Sequence, residues 1–209
     1  MKAVCTKEVF EYGISLAERF TGKNINLPVL NTILIEADTH TLTITATNLE
    51  YAIQISIPAK VQSLGRVAVP AKILTAVIQS AQEENIELEG KNETLVVKTP
   101  SSEGKIIGVR SDDFPLIPKI KKTHTYSFST LALADGIAKI LPAVSTSEFK
   151  PELNGIFFKI APQELILAAT DTFRLAEKKI KIPGGEAEAK TFILPGKIGQ
   201  EIVRIFGDE

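Results

Sequence analysis

The chain has 209 residues, of which 44% are hydrophobic and 23% are charged, and its formal net charge is -1 at pH 7. This composition is typical of a globular protein, and the balanced charge excludes a bulk attraction to nucleic acid or to a membrane. The single cysteine, Cys5, excludes an internal disulfide, the first residues lack the apolar run that is typical of a signal peptide, and no run is long enough to span a membrane. We therefore expect a cytoplasmic protein of two domains, without membrane association.

The first half of the sequence predicts a helix, a group of strands, a second helix and further strands. Thr6 is a candidate N-cap for a helix that ends near Phe20 and whose apolar stripe includes Phe10, Gly13 and Ile14. Pro70 marks the start of the second helix. The predicted strands are 32–37, 41–47, 51–57, 86–89, 94–98 and 105–110, and within 51–57 apolar residues recur with a period of two.

The second half repeats this plan after a connector that is rich in proline and lysine. Asp113-Phe114-Pro115 leads into the connector at 115–122, so we place the domains at 1–122 and 123–209. Ser129 or Thr130 caps a helix that ends near Leu141, and another helix follows Pro195. Strands are predicted near 153–160, 164–170 and 174–182.

The two halves share sequence as well as element order, at an offset of about 123 residues. Matching segments, in order, are Leu30-Asn31-Thr32-Ile33 with Leu153-Asn154-Gly155-Ile156, Thr47-Asn48 with Thr170-Asp171, Ile57-Pro58 with Ile182-Pro183, and Val69-Pro70-Ala71-Lys72 with Leu194-Pro195-Gly196-Lys197. Solenoid and propeller units repeat over shorter periods, so this repeat predicts a duplicated domain. The second copy stops before its closing strands, and we expect an open sheet edge that favours pairing with another chain.

The repeated segments also carry a family resemblance. They resemble the bacterial DNA polymerase III beta subunit, the sliding clamp, and the motifs concerned are Leu27-Pro28-Val29-Leu30, Thr47-Asn48-Leu49-Glu50, Val69-Pro70-Ala71-Lys72, Asp113-Phe114-Pro115, Leu153-Asn154-Gly155 and 170–176. The resemblance implies an α+β fold of tandem clamp domains, each with two helices packed on antiparallel sheets. It covers the family's first domain and most of the second, and the third domain is absent.

The resemblance also implies the function and the partners. In this family, three such domains form a crescent, and two crescents close head to tail as a homodimer ring around double-stranded DNA. The implied function is that of a non-enzymatic processivity factor for DNA replication that tethers the polymerase. Its partners would be double-stranded DNA, DNA polymerase III subunits, the clamp loader and other clamp-binding peptides, with no cofactor and no metal.

Three sets of site residues follow from the same resemblance. DNA contacts without base specificity are expected from cationic side chains, which are Lys23, Lys72, Lys139, Lys197 and Arg204. The wall of a peptide pocket is expected from Leu153, Thr170, Thr172, Phe173, Arg174 and Leu175. The dimer interface is expected from an edge strand and the second helix, with Ile73, Val77, Ile78, Lys105, Ile106, Ile107 and Val109.

Each of these sets has a plainer interpretation. A surface lysine can be no more than a solvated residue, and Leu153 and Leu175 can be core residues. Phe173 stands where the family commonly has histidine, and the opposite wall of the pocket lies beyond this chain. We therefore expect weak or absent peptide binding, and no ring from this chain alone.

Other function classes find less support in the sequence. A natural short relative that binds clamp partners as an adaptor or decoy, without encircling DNA, is one alternative. A hydrolase that uses Asp171 is another, but the equivalent Asn48 indicates a shared role in stabilising a turn. The remaining candidates for chemistry indicate turns or a small buried residue and assemble no active site: Cys5, Gly22-Lys23, Asp38, His40, Asp112-Asp113, His124 and Gly184-Gly185-Glu186.

Overall fold

The computed structural model describes residues 1–22, 27–118, 120–121, 125–147, 149–182 and 189–207. These residues form two compact units, Met1–Ile120 and Lys121–Glu209. No helix within the described residues has the length and apolar character that a membrane crossing requires.

The first unit packs two helices between two antiparallel sheets. Its elements in chain order are β1 Lys2–Thr6, α1 Lys7–Glu18, β2 Thr32–Asp38, β3 Thr41–Thr47, β4 Ala52–Pro58, β5 Lys60–Ser63, β6 Gly65–Pro70, α2 Ala71–Ser80, β7 Asn85–Lys91, β8 Thr94–Lys98 and β9 Glu103–Ile107. One sheet has the order β4-β3-β2-β6, and the other has the order β5-β1-β7-β8-β9. Helix α1 lies against β1, β3 and β4, while α2 lies against β6 and β9.

The second unit has one antiparallel sheet and two helices within the described residues. Its elements are α3 Thr130–Ile140, β10 Gly155–Ala161, β11 Glu164–Thr170, β12 Leu175–Lys181, β13 Lys190–Pro195 and α4 Gly196–Phe206. The strand order is β12-β11-β10-β13, which reproduces the order β4-β3-β2-β6 of the first unit. Helix α3 packs on β11 and β12, and α4 packs on β10 and β13. The predicted α+β fold, with two helices on antiparallel sheets in each copy, is confirmed.

The register of the strands shows that the duplication extends to individual residues. Leu34 pairs with Thr45 in the first unit, and Phe157 pairs with Ala168 in the second, so both partners move by the same 123 positions. Thr47 likewise pairs with Ala52, as Thr170 pairs with Leu175. A slip of one residue would turn every side chain to the opposite face, so this agreement indicates the same inward and outward faces in both copies.

One of the sequence matches between the two copies is wrong. The sequence places Ile57-Pro58 opposite Ile182-Pro183, but the register equates Ile57, which pairs with Leu42, with Ile180, which pairs with Leu165. The second copy has two more residues than the first between this point and the end of its last strand. Thr32 and its counterpart Gly155 are 123 positions apart, but their partners Pro70 and Pro195 are 125 positions apart. The repeated Ile-Pro pair therefore has a different position in each copy.

A glycine in the first helix of each unit permits close contact with the sheet. A Cβ atom at Gly13 would lie 2.8 Å from Cδ1 of Ile44, and one at Gly136 would lie 2.6 Å from Cδ1 of Ile180. Gly136 also approaches Leu167, the counterpart of Ile44. Burial of these side chains is the main favourable contribution to each core, and the two cores are built from equivalent contacts.

The helices begin where the sequence predicts, but not every predicted N-cap residue makes a capping hydrogen bond. Thr6 occupies the N-cap position of α1, but its side chain makes no capping hydrogen bond, so that expectation is wrong. Ser129 does cap α3, because its hydroxyl oxygen accepts a hydrogen bond from the backbone N–H of Ala132 at 3.4 Å. Pro70 and Pro195 precede α2 and α4 directly.

Candidate functional site

The turn that follows β11 is organised by Asp171. Its Oδ1 atom accepts hydrogen bonds from the backbone N–H groups of Phe173 at 3.0 Å and Arg174 at 2.9 Å, and its Oδ2 accepts one from Nε of Arg174 at 2.8 Å. Thr172 between them has φ 78°, a left-handed conformation that is uncommon for a β-branched residue. The turn therefore depends on side-chain hydrogen bonds to keep its backbone in place.

Asn48 performs the same task in the first unit. Its Oδ1 atom accepts hydrogen bonds from the N–H groups of Glu50 and Tyr51, both at 3.0 Å, and Leu49 has φ 77°. The shared turn-stabilising role that the sequence indicated for Asn48 and Asp171 is thus confirmed.

The environment of Asp171 also determines its charge. Hydrogen bonds from the side chain and backbone of Arg174 lower the pKa of Asp171 to about 2 from the ordinary 3.8. The group is a carboxylate at neutral pH, as it would be at its ordinary pKa, and both of its oxygens are engaged within the turn. This is the arrangement of a structural acceptor, and it leaves no proton on Asp171 to donate to a substrate.

A small apolar depression lies on the outer face of the sheet beside this turn. Its volume is about 140 Å³, and it is lined by Glu152, Leu153, Gly155, Phe157, Ala168, Ala169, Thr170, Leu175 and Ile193. Of the predicted peptide-site residues, Leu153, Thr170 and Leu175 are brought together here. Leu175 is 73% exposed, so the interpretation of Leu175 as a core residue is wrong.

The other predicted peptide-site residues lie in the turn and do not line the depression. Phe173 is 95% exposed, and Arg174 forms its ion pair with Asp171. Sequence reasoning missed Phe157, Ala168 and Ile193, which face outward on three adjacent strands. The offset of 123 residues relates each strand position of one copy to its counterpart in the other, but it does not show which side chains face outward. Phe157 and Ala168 could therefore not be assigned to the outer face from the sequence alone.

The equivalent face of the first unit is covered by its own chain. Leu34 and Ala68, the counterparts of Phe157 and Ile193, form a buried cluster with Phe114. Phe114 is 6% exposed and belongs to the segment that follows β9. The two copies therefore differ at this position, since the first is filled and the second is open.

The predicted DNA-contacting cations lie mainly on the second helix of each unit. Lys72 in α2 and Lys197 in α4 are exposed, follow Pro70 and Pro195 by two positions, and have no acidic partner within salt-bridge distance among the described residues. Lys139 of α3 pairs with Asp135 at 2.6 Å, and Arg204 of α4 pairs with Glu201 at 3.1 Å.

The predicted Lys23 lies outside the described residues. The described members of the cationic set thus divide into two unpaired lysines and two cations whose charge is partly offset by a neighbouring carboxylate. Lys72 and Lys197 are the members best placed to contact an anion.

The predicted dimer-interface residues divide into exposed and buried groups. Ile73 and Ile107 are 52% and 77% exposed, Lys105 is exposed, and Val77 is half-buried. Ile78 and Ile106 are 0% and 2% exposed because they belong to the core of the first unit, so their side chains offer no surface to a partner.

Val109 is wrongly assigned to the edge strand. Strand β9 ends at Ile107, and the backbone N–H of Val109 donates to the carbonyl oxygen of Ala68 in β6 at 3.0 Å. Its side chain packs with the Phe114 cluster instead of facing a free edge.

The remaining residues with potential chemistry lie apart from one another. Asp38 accepts a hydrogen bond from the backbone N–H of Thr39 at 2.7 Å, as expected for a turn residue. Burial raises the pKa of the Cys5 thiol to about 12, which disfavours the reactive thiolate. Within the described residues, no three His, Cys, Asp or Glu side chains lie close enough to hold a metal ion. His124 and Gly184-Gly185-Glu186 lie outside the described residues.

Two family models match successive parts of the chain. Residues 1–118 match the DNA polymerase III beta subunit, N-terminal domain, and residues 128–209 match the central domain of the same subunit. The chain belongs to the DNA polymerase III beta subunit family. The beta sliding clamp of Synechococcus elongatus is 32% identical over 182 residues, which are 86% of this chain and 48% of that protein. The beta sliding clamp of Staphylococcus aureus is 30% identical over 191 residues, which are 87% of this chain and 50% of that protein.

Solved structures of beta subunits show the same fold along the whole chain. The DNA polymerase sliding clamp from Bacillus subtilis aligns with a TM-score of 0.94 at 25% identity, covering 100% of this chain and 57% of that one. The beta subunit from Thermotoga maritima aligns with a TM-score of 0.89 at 26% identity, covering 100% of this chain and 56% of that one. The chain therefore spans about half the length of the curated beta subunits that it matches.

Proposed function

We propose that this chain acts in DNA replication as part of a sliding clamp, a processivity factor that in its full-length form encircles double-stranded DNA and tethers the polymerase. The observation that carries the proposal is the family membership together with a duplicated fold in which each copy presents an equivalent lysine, Lys72 or Lys197, at the start of its second helix. Such a protein acts by contacting phosphates without base recognition, and it needs no catalytic residue.

The electrostatic part of this proposal can be tested with a labelled DNA duplex. Binding is measured by fluorescence anisotropy over a series of salt concentrations for the wild type and for Lys72→Ala/Lys197→Ala. Because each lost phosphate contact reduces the slope of log affinity against log salt by about 0.9, we expect the double variant to bind more weakly and with a shallower slope.

The control is Lys179→Ala, which removes a cation from the exposed face of β12, the face of that strand opposite α3. This variant should bind DNA like the wild type. An unchanged salt slope in the double variant would contradict a role of Lys72 and Lys197 in phosphate contact.

We also propose that the depression lined by Leu153, Thr170 and Leu175 accepts an apolar anchor of short peptides from polymerase subunits, the clamp loader and other clamp-binding proteins. Its small volume of about 140 Å³ supports a single buried side chain, and one such anchor commonly dominates the affinity of a peptide. Thr172, Phe173 and Arg174 would then form the exposed rim, in contact with the peptide backbone.

Peptide binding by this chain alone should be weak, because a depression of about 140 Å³ can bury only a small part of a peptide. In calorimetric titration with a clamp-binding peptide, we expect a dissociation constant weaker than micromolar. A micromolar constant that Leu175→Ala abolishes would show instead that this chain supplies the complete pocket.

Ring closure in the full-length homodimer is proposed to use the exposed part of the predicted interface. The residues concerned are Ile73, Val77, Lys105 and Ile107, which lie on α2 and on the edge strand β9. The exposed isoleucines would be buried against the partner, as is common at stable interfaces.

A further inference from the structure

The outer face of the first unit contains a buried hydroxyl group that makes no hydrogen bond. Thr45 of β3 is 3% exposed, and its Oγ1 atom has no hydrogen-bond partner among the described residues. Buried side-chain oxygens nearly always have a partner, because an unpaired oxygen has given up its hydration without compensation. Thr45 therefore offers a polar contact that another group can take up.

This hydroxyl lies on the face of the sheet that Phe114 covers. Thr45 pairs with Leu34, and Leu34 pairs on its other side with Ala68. Residues that are directly opposite in neighbouring strands project to the same face, so all three side chains are on one side of the sheet. Phe114 packs on Leu34 and Ala68. The Thr45 side chain thus lies beside the apolar residues that the ring of Phe114 covers.

The second unit shows the equivalent face without such a cover. Ala168, the counterpart of Thr45, lines the open depression of about 140 Å³ together with Phe157 and Ile193. An apolar cavity of about 150 Å³ is large enough to bind a molecule of the size of benzene. The first unit differs at this position in two respects, which are the hydroxyl group of Thr45 and the ring of Phe114.

Residues 109–114, here called the strap, hold Phe114 in place through contacts outside the strand ladders. The backbone N–H of Val109 donates to the carbonyl oxygen of Ala68 at 3.0 Å, and a short 3-10 helix follows at Ser111–Asp113. The side chain of Asp112 forms an ion pair with Arg66, and the two side chains are 64% and 47% exposed. An ion pair this exposed stabilises a segment only slightly. The strap can therefore be released while the strands of both sheets stay paired.

We propose that the strap covers a ligand site on the first unit, in which Phe114 occupies the position of the ligand. When the strap opens, the site accepts a small aromatic molecule that carries a hydroxyl group. The aromatic ring takes the place of the Phe114 ring on Leu34 and Ala68, and the hydroxyl group forms a hydrogen bond with Oγ1 of Thr45. The proposal concerns the first unit alone, and it is independent of the role in replication and of peptide binding by the second unit.

The covalent link to the strap makes Phe114 a strong competitor for this site. A group that is tethered beside its binding site has a high effective concentration, so the closed form predominates. A free ligand binds only the open form, and its apparent affinity is reduced in proportion to the fraction of open molecules. Any change that releases the strap should consequently favour the ligand.

Strap opening can be measured by hydrogen exchange in the full chain. The amide of Val109 should exchange faster than the amides of β2, because the strap opens while β2 remains paired. Asp112→Ala removes the ion pair with Arg66 and should speed exchange at Val109 roughly two- to fivefold. Asp113→Ala is the matched control, since Asp113 forms no ion pair among the described residues, and it should leave the exchange rate unchanged.

Equal exchange rates for Val109 and β2 in the wild type would overturn the proposal. Phe114 would then leave the sheet only when the whole unit unfolds, as an ordinary core residue does. Equal effects of Asp112→Ala and Asp113→Ala would overturn it as well. Both variants retain Phe114, so this comparison stands even if a protein without that ring does not fold.

The ligand site is tested with phenol and toluene in isotope-labelled Phe114→Ala, by nuclear magnetic resonance. At concentrations that saturate the second unit, the wild type should show shifts near Phe157 and none at Leu34 or Ala68, whereas the variant should show both sets. Adding Thr45→Val should lower the ratio of phenol affinity to toluene affinity at the first unit roughly two- to tenfold, because a hydrogen bond of ordinary strength is lost.

Each result of the titration supports or overturns the proposal. Shifts at Leu34 and Ala68 in Phe114→Ala, with an affinity ratio that depends on Thr45, support it. A folded Phe114→Ala protein without these shifts overturns it, as does an affinity ratio that Thr45→Val leaves unchanged. Absence of shifts near Phe157 bears only on the depression of the second unit, and loss of DNA binding in the separate lysine test bears only on the replication role.

Discussion

Asp171 and Asn48 show how one side-chain oxygen can organise a turn. Each accepts two backbone N–H groups, and each lies before a residue with a positive φ, Thr172 or Leu49. Asn and Asp both present an acceptor at the same distance from the backbone, so the duplication could exchange one for the other without loss of the turn.

Substitutions at Asp171 should show whether the turn is stabilised by the hydrogen-bond acceptor or by the negative charge of this side chain. Asp171→Asn keeps the acceptor of the Asn48 turn and should retain most of the stability of the second unit. Asp171→Ala leaves the N–H groups of Phe173 and Arg174 without that partner and should lower the midpoint of urea unfolding clearly further. Equal midpoints for the two variants would contradict the role assigned to Oδ1.

The pH dependence of stability should carry a contribution from the same carboxylate. Because the pKa of Asp171 falls from 3.8 to about 2 on folding, its stabilising contribution is complete above pH 3.8 and is lost as the pH falls toward 2. Between pH 5 and pH 2, the wild type should therefore lose more stability than Asp171→Asn. Parallel curves of unfolding free energy against pH would contradict this expectation.

At the scale of elements, β9 is positioned by a close approach between its end and β6. A methyl group added at Gly108 would overlap the carbonyl oxygen of Ala68, which already accepts a hydrogen bond from Val109. Backbone atoms cannot move aside as the end of a side chain can, so only glycine fits at this point.

Gly108→Ala should therefore destabilise the first unit by about 1–3 kcal/mol in urea unfolding. Gly104→Ala is the comparison, since its nearest neighbour, 2.9 Å away, is the Cγ1 atom of the Val77 side chain. That variant should lose clearly less stability. A Gly108→Ala protein as stable as the wild type would show that β6 can shift without cost.

The elements with strong local patterns were predictable from the sequence. Alternating apolar residues gave β3 and β11 with the observed bounds, and Pro70 and Pro195 located the starts of α2 and α4. Strands β1, β5, β6 and β13 were missed. Strand β1, for example, has five residues and pairs with β5 and β7, which lie far along the chain, so no local pattern reveals its partners.

The candidate sites were predictable only as far as sequence position allows. Leu153, Thr170 and Leu175 of the predicted peptide site lie beside one depression, whereas Ile78 and Ile106 of the predicted interface have buried side chains. Burial depends on which face of a strand or helix meets the core, and both faces of α2 and β9 contain isoleucine. The sequence pattern alone could not distinguish Ile73 from Ile78 or Ile107 from Ile106.

For the whole molecule, the two copies differ in how well the shared fold is covered. In the first unit, the helices lie against two sheets, whereas the described part of the second unit contains one sheet. Apolar side chains on its last strand and helix are exposed, with Phe192 at 45% and Phe206 at 42%. The second unit should therefore open more readily than the first.

Hydrogen exchange can measure this difference between equivalent strands. Amides of β10 should exchange faster than those of β2, although both strands lie between two neighbours in the same topology. The expected reason is a lower free energy of opening for the second unit, because less apolar surface is buried around it. Equal protection of β2 and β10 would contradict this.

Phe114 covers the outer face of one copy of the duplicated sheet, and this coverage limits the number of binding sites on the chain. It packs on Leu34 and Ala68 at the outer face of the first copy, while the equivalent position in the second copy, beside Phe157 and Ile193, is an open depression. A probe small enough for that depression should saturate at one equivalent per chain. Although the fold is duplicated, only one of its two copies should bind a probe on this face.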